Sequence, residues 1–304
     1  MFFGTTVEGA VVRVVDGDTV RIRADGREES IRILALDTEE SNSGSRTKPQ
    51  TPWGRAAKAE AQRLLPNDAA VTLEFPGTEP LAECWEKHRD NFGRVLGFVH
   101  AEGRDFQDHM IRAGYSPYFV KYGYADFLDY HARYTAAERA AQSAHRGVWD
   151  QLAVNGAEAR NYALLGVWWH LRAQAIAAYR EARIGDPLLF NSRLDYERLL
   201  MLASHDTEAT VFTELREYHR VGGRHVVVTI GSLQQPFQLF VPDADSDAGQ
   251  LILRLIENRY IAAEPDHPRR SYAYVQGTLK LFGGKPEIVV RGIDQISDDP
   301  PSSL

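Results

Sequence analysis

The amino-terminal third of the chain alternates hydrophobic and polar positions with period two, the pattern of half-buried strands. Val7, Val11, Val12, Val14 and Val15 are β-branched, Asp16-Gly17 is a turn pair, and Val20-Arg21-Ile22-Arg23 alternates. Asp25-Gly26 carries the strongest short hairpin signal of the stretch, and Ile31 to Leu36 alternates again. Residues 41–52 are rich in Ser, Asn, Gly, Thr and Pro and read as a loop. Gly54 to Leu65 has helical spacing and is stopped by Pro66. Val71 to Phe75 and Val95 to His100 are further strands. Asp105 caps a helix that ends at Gly114, and Phe127 to Ala144 is a third helix, ended by Gly147. Five short strands and three helices give an α+β pattern, mainly β, typical of a five-stranded OB-type barrel with helices attached.

The second half opens differently. Glu158 to Arg183 is Ala-rich and reads as one connecting helix, with Trp168 and Trp169 as packing residues, stopped near Gly185-Asp186-Pro187. Tyr196 to Ala203 is another helix. Val226 to Ile230 and Phe237 to Val241 are strands, Ala248 to Ala263 a helix, and Tyr272 to Lys280 and Ile288 to Ile293 strands again. That order predicts a second, carboxy-terminal OB-type barrel. The expected organisation is a first domain over residues 1–152, a helical linker over 153–204, an OB-like domain over 205–297 and a polar tail over 298–304.

The 304 residues are 43% hydrophobic and 25% charged, an ordinary globular mix that excludes collagen, coiled coil and whole-chain disorder. The lone Cys84 excludes an intrachain disulfide. No stretch reaches the ~18 apolar residues of a membrane span, and the start shows no basic and apolar leader. The expectation is a cytoplasmic protein, with a secreted form whose leader was trimmed left open. The net charge of −7 is no advertisement for a polyanion binder, so nucleic-acid recognition has to rest on local groups.

Four such groups lie in the first half: Asp16-Gly17-Asp18-Thr19 at a strand end, Arg32 inside a strand, Asp37-Thr38-Glu39-Glu40 where that strand exits, and Phe92-Gly93-Arg94 before the next. Taken singly, each is an ordinary turn, a solvated strand face or an acidic loop. Together, Asp18 and Asp37 supply hard oxygen ligands and the Thr38 carbonyl a third, a donor set for Ca²⁺ or Mg²⁺. Arg32 and Arg94 offer guanidinium forks for phosphate oxygens. Glu40 lies beyond the ligands, placed to hold a water. Metal, two arginines and a carboxylate are the parts for phosphodiester hydrolysis.

The ordered set resembles the staphylococcal nuclease (thermonuclease) family over about residues 7–150. That family carries an Asp-Gly-Asp-Thr, then an Arg, an Asp and a Glu at the spacings found here, 14 from Asp18 to Arg32, 5 to Asp37 and 3 to Glu40, and a later aromatic-Gly-Arg. The resemblance implies a nuclease acting on DNA or RNA with low sequence specificity and a preference for single strands. Ca²⁺ is the implied cofactor, with Mg²⁺ or Mn²⁺ as substitutes, held by Asp18, Asp37 and Thr38. It implies Glu40 as general base or water orienter, Arg32 and Arg94 as catalytic cations with Arg94 near the leaving 5′ oxygen, and 3′-phosphate products. Two departures stand out. Glu39 occupies a position where the family commonly has Pro, which places a further negative charge in the acidic loop. The segments 41–52 and 76–91 are longer than the family minimum.

Tyr115, Tyr118, Tyr122 and Tyr124 resemble the family's base-stacking tyrosines. In the second half, Tyr272, Tyr274 and Phe282 with Arg269, Arg270, Lys280, Lys285 and Arg291 mix aromatics and bases, as a groove for a single strand would. His100, His109, His131 and His145 show no metal spacing. The alternative function is a catalytically silent nuclease-like scaffold that binds nucleic acid or protein. The intact set Asp18, Arg32, Asp37, Glu40 and Arg94 favours the enzyme.

Overall fold

A computed structural model describes residues 2–42, 50–120, 127–150, 162–232, 234–261 and 269–300. The chain divides into two compact units, residues 1–169 and 170–304. No described helix is long and apolar enough to cross a membrane.

In the first unit, β1 (Thr6–Asp16), β2 (Thr19–Ala24) and β3 (Arg27–Ile33) form an antiparallel meander, and β4 (Ala35–Leu36) follows at once. Then come α1 (Pro52–Leu64), β5 (Ala70–Glu74), α2 (Leu81–Lys87), β6 (Val95–Ala101), β7 (Arg104–Asp105), α3 (Phe106–Arg112), β8 (Tyr118–Phe119) and α4 (Leu128–Ser143). The ladder β3-β2-β1-β5-β6 closes on itself because β6 also pairs with β3, in parallel, with Arg32 opposite Leu96. This is the five-stranded barrel the alternation predicts. The β2–β3 hairpin turns on Asp25 and Gly26, both at positive φ (50° and 70°), as a primed two-residue turn requires. Alternating apolar side chains fill the interior: Val11, Val20, Ile22, Ile31, Leu73, Val95 and Phe98 are at most 1% exposed. Each contributes about 1.5–3 kcal/mol of burial free energy.

Two local features depart from the alternation. Ile31 to Leu36 is not one strand: Ala35 sits at φ 64° and the chain leaves the barrel there to pair with β8. A left-handed alanine costs about 1–2 kcal/mol, offset here by its burial and by the hydrogen bond from Leu34 N–H to the Gly97 carbonyl. α2 carries no strong periodic signal in the sequence. It is held by Trp85, 1% exposed and edge-on to Phe75.

α5 (Tyr162–Gly185) begins in the first unit and ends in the second. The second unit then contains β9 (Leu189–Asn191), α6 (Tyr196–Ala203), β10 (Glu208–Glu214), β11 (Glu217–Val221), β12 (His225–Thr229), β13 (Gln238–Val241), α7 (Asp247–Leu255), β14 (Tyr272–Phe282), β15 (Lys285–Val289) and β16 (Ile296–Ser297). Its sheet runs β11-β12-β13-β15-β14-β10-β9. Only Leu215 and Arg216 separate β10 from β11, so the path leaves and returns to one stretch of chain. Counting β10 and β11 as one bent strand, the pairing order repeats that of the first barrel, including the parallel contact of the third strand with the last (β13 with β15) and a helix between the third strand and the fourth.

Candidate active site

The mouth of the first barrel is built by two register shifts and two glycines. β1 shifts register between Val11 and Arg13 and again between Val14 and Asp16, which bends the strand end carrying the Asp16–Thr19 turn. A Cβ on Gly17 would lie 2.9 Å from Thr38 Oγ1 and from Ala57 Cβ, so the glycine lets this turn nest against both the acidic loop and α1. A Cβ on Gly54 would lie 2.0 Å from the Glu40 carbonyl oxygen, so the first turn of α1 can rest on the Glu40 backbone only as glycine. Thr51 caps that helix, accepting from Gly54 N–H at 3.2 Å, and its own N–H donates to the Glu40 carbonyl at 3.3 Å.

Asp18 and Asp37 converge on Arg32. Nη2 of Arg32 lies 3.3 Å from Asp18 Oδ2 and 3.5 Å from Asp37 Oδ1, while Nη1 donates to the Ile33 carbonyl at 2.8 Å. All three side chains are largely buried, and Arg32 is 7% exposed rather than on a solvated face. Asp37 N–H donates to Ser116 Oγ at 2.8 Å, which fixes the acidic loop to the segment before β8. Two largely buried carboxylates share one guanidinium nitrogen. Their hard oxygens are of the kind a divalent cation takes, and the adjoining Thr38, 1% exposed, adds a buried backbone oxygen to the candidate set.

Arg94 joins the same group through Thr19. Thr19 Oγ1 donates to Asp18 Oδ1 at 2.9 Å and accepts from Arg94 Nη1 at 3.3 Å. The rest of the Arg94 guanidinium is held by Asp90, whose carboxylate is fully buried: Nε donates to Oδ2 at 2.8 Å and Nη2 lies 2.7 Å from it. The other Asp90 oxygen accepts from the N–H groups of Phe92 and Arg94, both at 2.9 Å, closing a turn in which Gly93 has φ 80°. Phe92 is 80% exposed, with the Arg94 guanidinium 5.5 Å from its ring centre. The structure therefore links Asp18, Arg32, Asp37 and Arg94 in one chain of contacts. Glu40 is half-buried next to them in sequence, its backbone held by Thr51 and Gln50.

Sequence reasoning missed Asp90, Ser116 and the path of Glu39. Glu39 does not add its charge to the open side of the loop. It is 1% exposed, and the Tyr162 hydroxyl of α5 donates to its Oε1. An Asp four residues before an Arg, across an Asn-Phe-Gly turn, is a readable signal for the Asp90 clamp. No local signal ties Glu39 to Tyr162.

Several expected nucleic-acid contacts are corrected by burial. Tyr118 is 6% exposed and its hydroxyl bonds His131 Nδ1 at 3.0 Å. Tyr272 and Tyr274 are 4% and 2% exposed. Tyr272 stacks on Phe212 with ring centres 5.1 Å apart and planes 8° apart, and Tyr274 is tilted against the same ring. Alternation places Tyr272 and Tyr274 on one face of β14, opposite the core residues Ala273, Val275 and Leu279, and that face is covered by Phe212 with Tyr179 and Arg172 of α5. None of the three offers a ring face to a base. Tyr115 is half-buried, and Tyr122 and Tyr124 lie outside the described residues. Phe282, 60% exposed, and Lys285 are paired across the Gly283-Gly284 turn, with exposed Lys280 further along the same hairpin. Arg270 is engaged by Asp298, with Nε 3.2 Å from its carboxylate.

A closed five-stranded barrel with an acid–arginine cluster at the exit of its third strand, and helices packed around it, defines the class. The chain belongs to the staphylococcal nuclease homologue family, whose model matches residues 30–151. It is similar to the Thermonuclease of Staphylococcus intermedius, 30% identical over 144 residues that cover 46% of this chain and 75% of that protein. It is also similar to Endonuclease YncB of Bacillus subtilis, 27% identical over 142 residues (46% and 60%), and to SPbeta prophage-derived endonuclease YokF of the same organism, 27% identical over 148 residues (48% and 45%). The chain thus spans about half the length of these two Bacillus relatives.

Proposed function

We propose that the first unit is a metal-dependent nuclease that hydrolyses phosphodiester bonds of DNA or RNA with low sequence specificity. The observation that carries the reading is the convergence of Asp18 and Asp37 on one guanidinium nitrogen of Arg32, with Arg94 joined to Asp18 through Thr19. Similarity to proteins named Thermonuclease and Endonuclease supports the same activity.

Asp18, Asp37 and the Thr38 carbonyl would hold Ca²⁺, for which Mg²⁺ or Mn²⁺ are the substitutes. The bound cation would supply charge neutralisation at a phosphate oxygen. Glu40 accepts the proton of the attacking water. Arg32 and Arg94 donate to the phosphate oxygens as negative charge grows in the transition state, and Arg94 also faces the leaving 5′ oxygen. By family likeness the products are 3′-phosphates and 5′-hydroxyls. The exposed Phe92 ring beside Arg94 gives a base a stacking surface next to the scissile bond, which suits a single strand. In the second unit, Phe282 with Lys280 and Lys285 on one hairpin forms an auxiliary contact for the strand.

The test is cleavage of labelled single-stranded DNA and RNA in Ca²⁺ and in chelator. Ca²⁺-dependent cleavage that drops by about 10²-fold or more in Glu40→Gln and in Arg94→Ala proteins with native circular dichroism supports the reading. Wild-type rates in both variants, or full activity in chelator, overturn it.

A further inference from the structure

Segment 76–91, the insertion between β5 and β6, brings three metal-binding side chains together away from the acid–arginine cluster. Glu79 Oε2 lies 3.1 Å from His88 Nε2 and 3.9 Å from Cys84 Sγ, and all three ligand atoms fall within 4.8 Å of one another. Tetrahedral Zn²⁺ with bonds of 2.0–2.3 Å to oxygen, nitrogen and sulfur puts neighbouring ligand atoms about 3.3–3.6 Å apart, so small side-chain rotations suffice.

The cluster is built rather than incidental. Cys84 and His88 stand four residues apart, Cys84 within α2 and His88 at its end, and therefore share a face. Trp85, buried against Phe75, pins the helix, and the His88 carbonyl accepts from Leu96 N–H at 2.8 Å, which pins its end to β6. A Cβ on Gly77 would lie 1.9 Å from Glu79 Oε2 and 2.7 Å from His88 Nε2, so only glycine lets the carboxylate and the imidazole meet. Lys87 takes the other Glu79 oxygen, Oε1, which orients Oε2 toward the histidine and cysteine. Cys84 and His88 are 0% and 1% exposed, whereas Glu79 reaches solvent on one side.

The geometry points to a second metal site, a zinc site formed by Glu79, Cys84 and His88 with solvent in the fourth position. Soft thiolate, imidazole and one carboxylate select Zn²⁺ over the hard cations suited to Asp18 and Asp37. On binding, the S–H bond of Cys84 breaks, its proton leaves to solvent, and the thiolate sulfur bonds the metal. His88 coordinates as neutral imidazole and Glu79 as carboxylate. The metal displaces the Cys84 proton, so its affinity rises with pH. The site has three protein ligands and an open fourth position on the side where Glu79 reaches solvent. It closes the insertion that ends at Arg89 and Asp90, and Asp90 is the residue that holds Arg94.

The experiment is metal titration of the full chain with Zn²⁺ and with Co²⁺ as a spectroscopic probe, in the wild type and in an Asp18→Asn, Asp37→Asn double variant that silences the other site. The expected result is one equivalent of zinc and a thiolate-to-cobalt charge-transfer band in both proteins. The band is lost in Cys84→Ser and reduced at least tenfold in apparent affinity in His88→Ala. Zinc binding should also release about one proton, from Cys84, in the wild type, a readout that needs no variant to fold. A wild type without the band, a band that survives Cys84→Ser, or zinc binding without proton release overturns the site. These outcomes do not depend on nuclease activity, so either reading can fail alone.

Discussion

The carboxylate of Asp90, fully buried, holds Arg94 through Nε at 2.8 Å and Nη2 at 2.7 Å. One residue thus orients the guanidinium while its other oxygen shapes the turn on which Arg94 rides. Asp90→Asn keeps the shape of the side chain but weakens a charge-assisted pair to a neutral one. The expected result is a fall of about 10-fold or more in kcat with little change in KM, since Arg94 acts on the transition state. The check is a double-mutant cycle: in an Arg94→Ala background, Asp90→Asn should change kcat far less than it does alone.

Gly54→Ala puts a Cβ 2.0 Å from the Glu40 carbonyl oxygen. Either α1 or the acidic loop must retreat. The expected cost is about 1–3 kcal/mol of stability, together with a loss of cleavage larger than that destabilisation explains. Urea unfolding and cleavage assays at a temperature where the variant is folded separate the two.

Tyr162→Phe removes the hydroxyl that donates to the buried Glu39 carboxylate. Taking a donor from a buried carboxylate costs about 1–3 kcal/mol. Glu39→Gln should rescue part of that loss in the double variant, because a buried amide left without that donor costs less than a buried carboxyl group. Chemical denaturation of the four proteins measures the coupling.

Stability carries a pH signature from Glu138. Burial pushes this carboxyl up from 4.5 to about 7, against the Tyr118 N–H it accepts at 2.9 Å and the nearby charge of Arg139. A raised carboxyl pKa means the folded state binds more protons than the unfolded one between those values, so stability falls as pH rises from about 4.5 to about 7. The contribution is on the order of 3 kcal/mol. Glu138→Gln should flatten that part of the profile, read from urea midpoints at a series of pH values.

The barrel and the acid–arginine spacing were legible because both are local. Alternation marks the strands, and Asp18, Arg32 and Asp37 lie close in sequence on paired elements. What escaped is what depends on distance or on backbone conformation. Glu39 meets Tyr162 across 123 residues, and nothing in an alternating stretch announces Ala35 at φ 64°. The aromatics of β14 show the limit of composition. Aromatic and basic residues together suggest a binding face, yet alternation cannot say whether another element covers it. Here Tyr272 belongs to a stack with Phe212 and Tyr179, covered by the Arg172 guanidinium 5.0 Å from its ring centre.

The burial of Glu39 under Tyr162 bears on how this molecule can be dissected. Val148, Tyr162, Leu165 and Trp169 share one apolar cluster, with Trp53, Phe119 and Trp149 against it. A recombinant fragment truncated after Gln151 would end where the family match ends, yet it would strip the lid from a buried carboxylate and lay bare a tryptophan-rich surface prone to aggregation. The smallest soluble version of the first unit has to retain the start of α5.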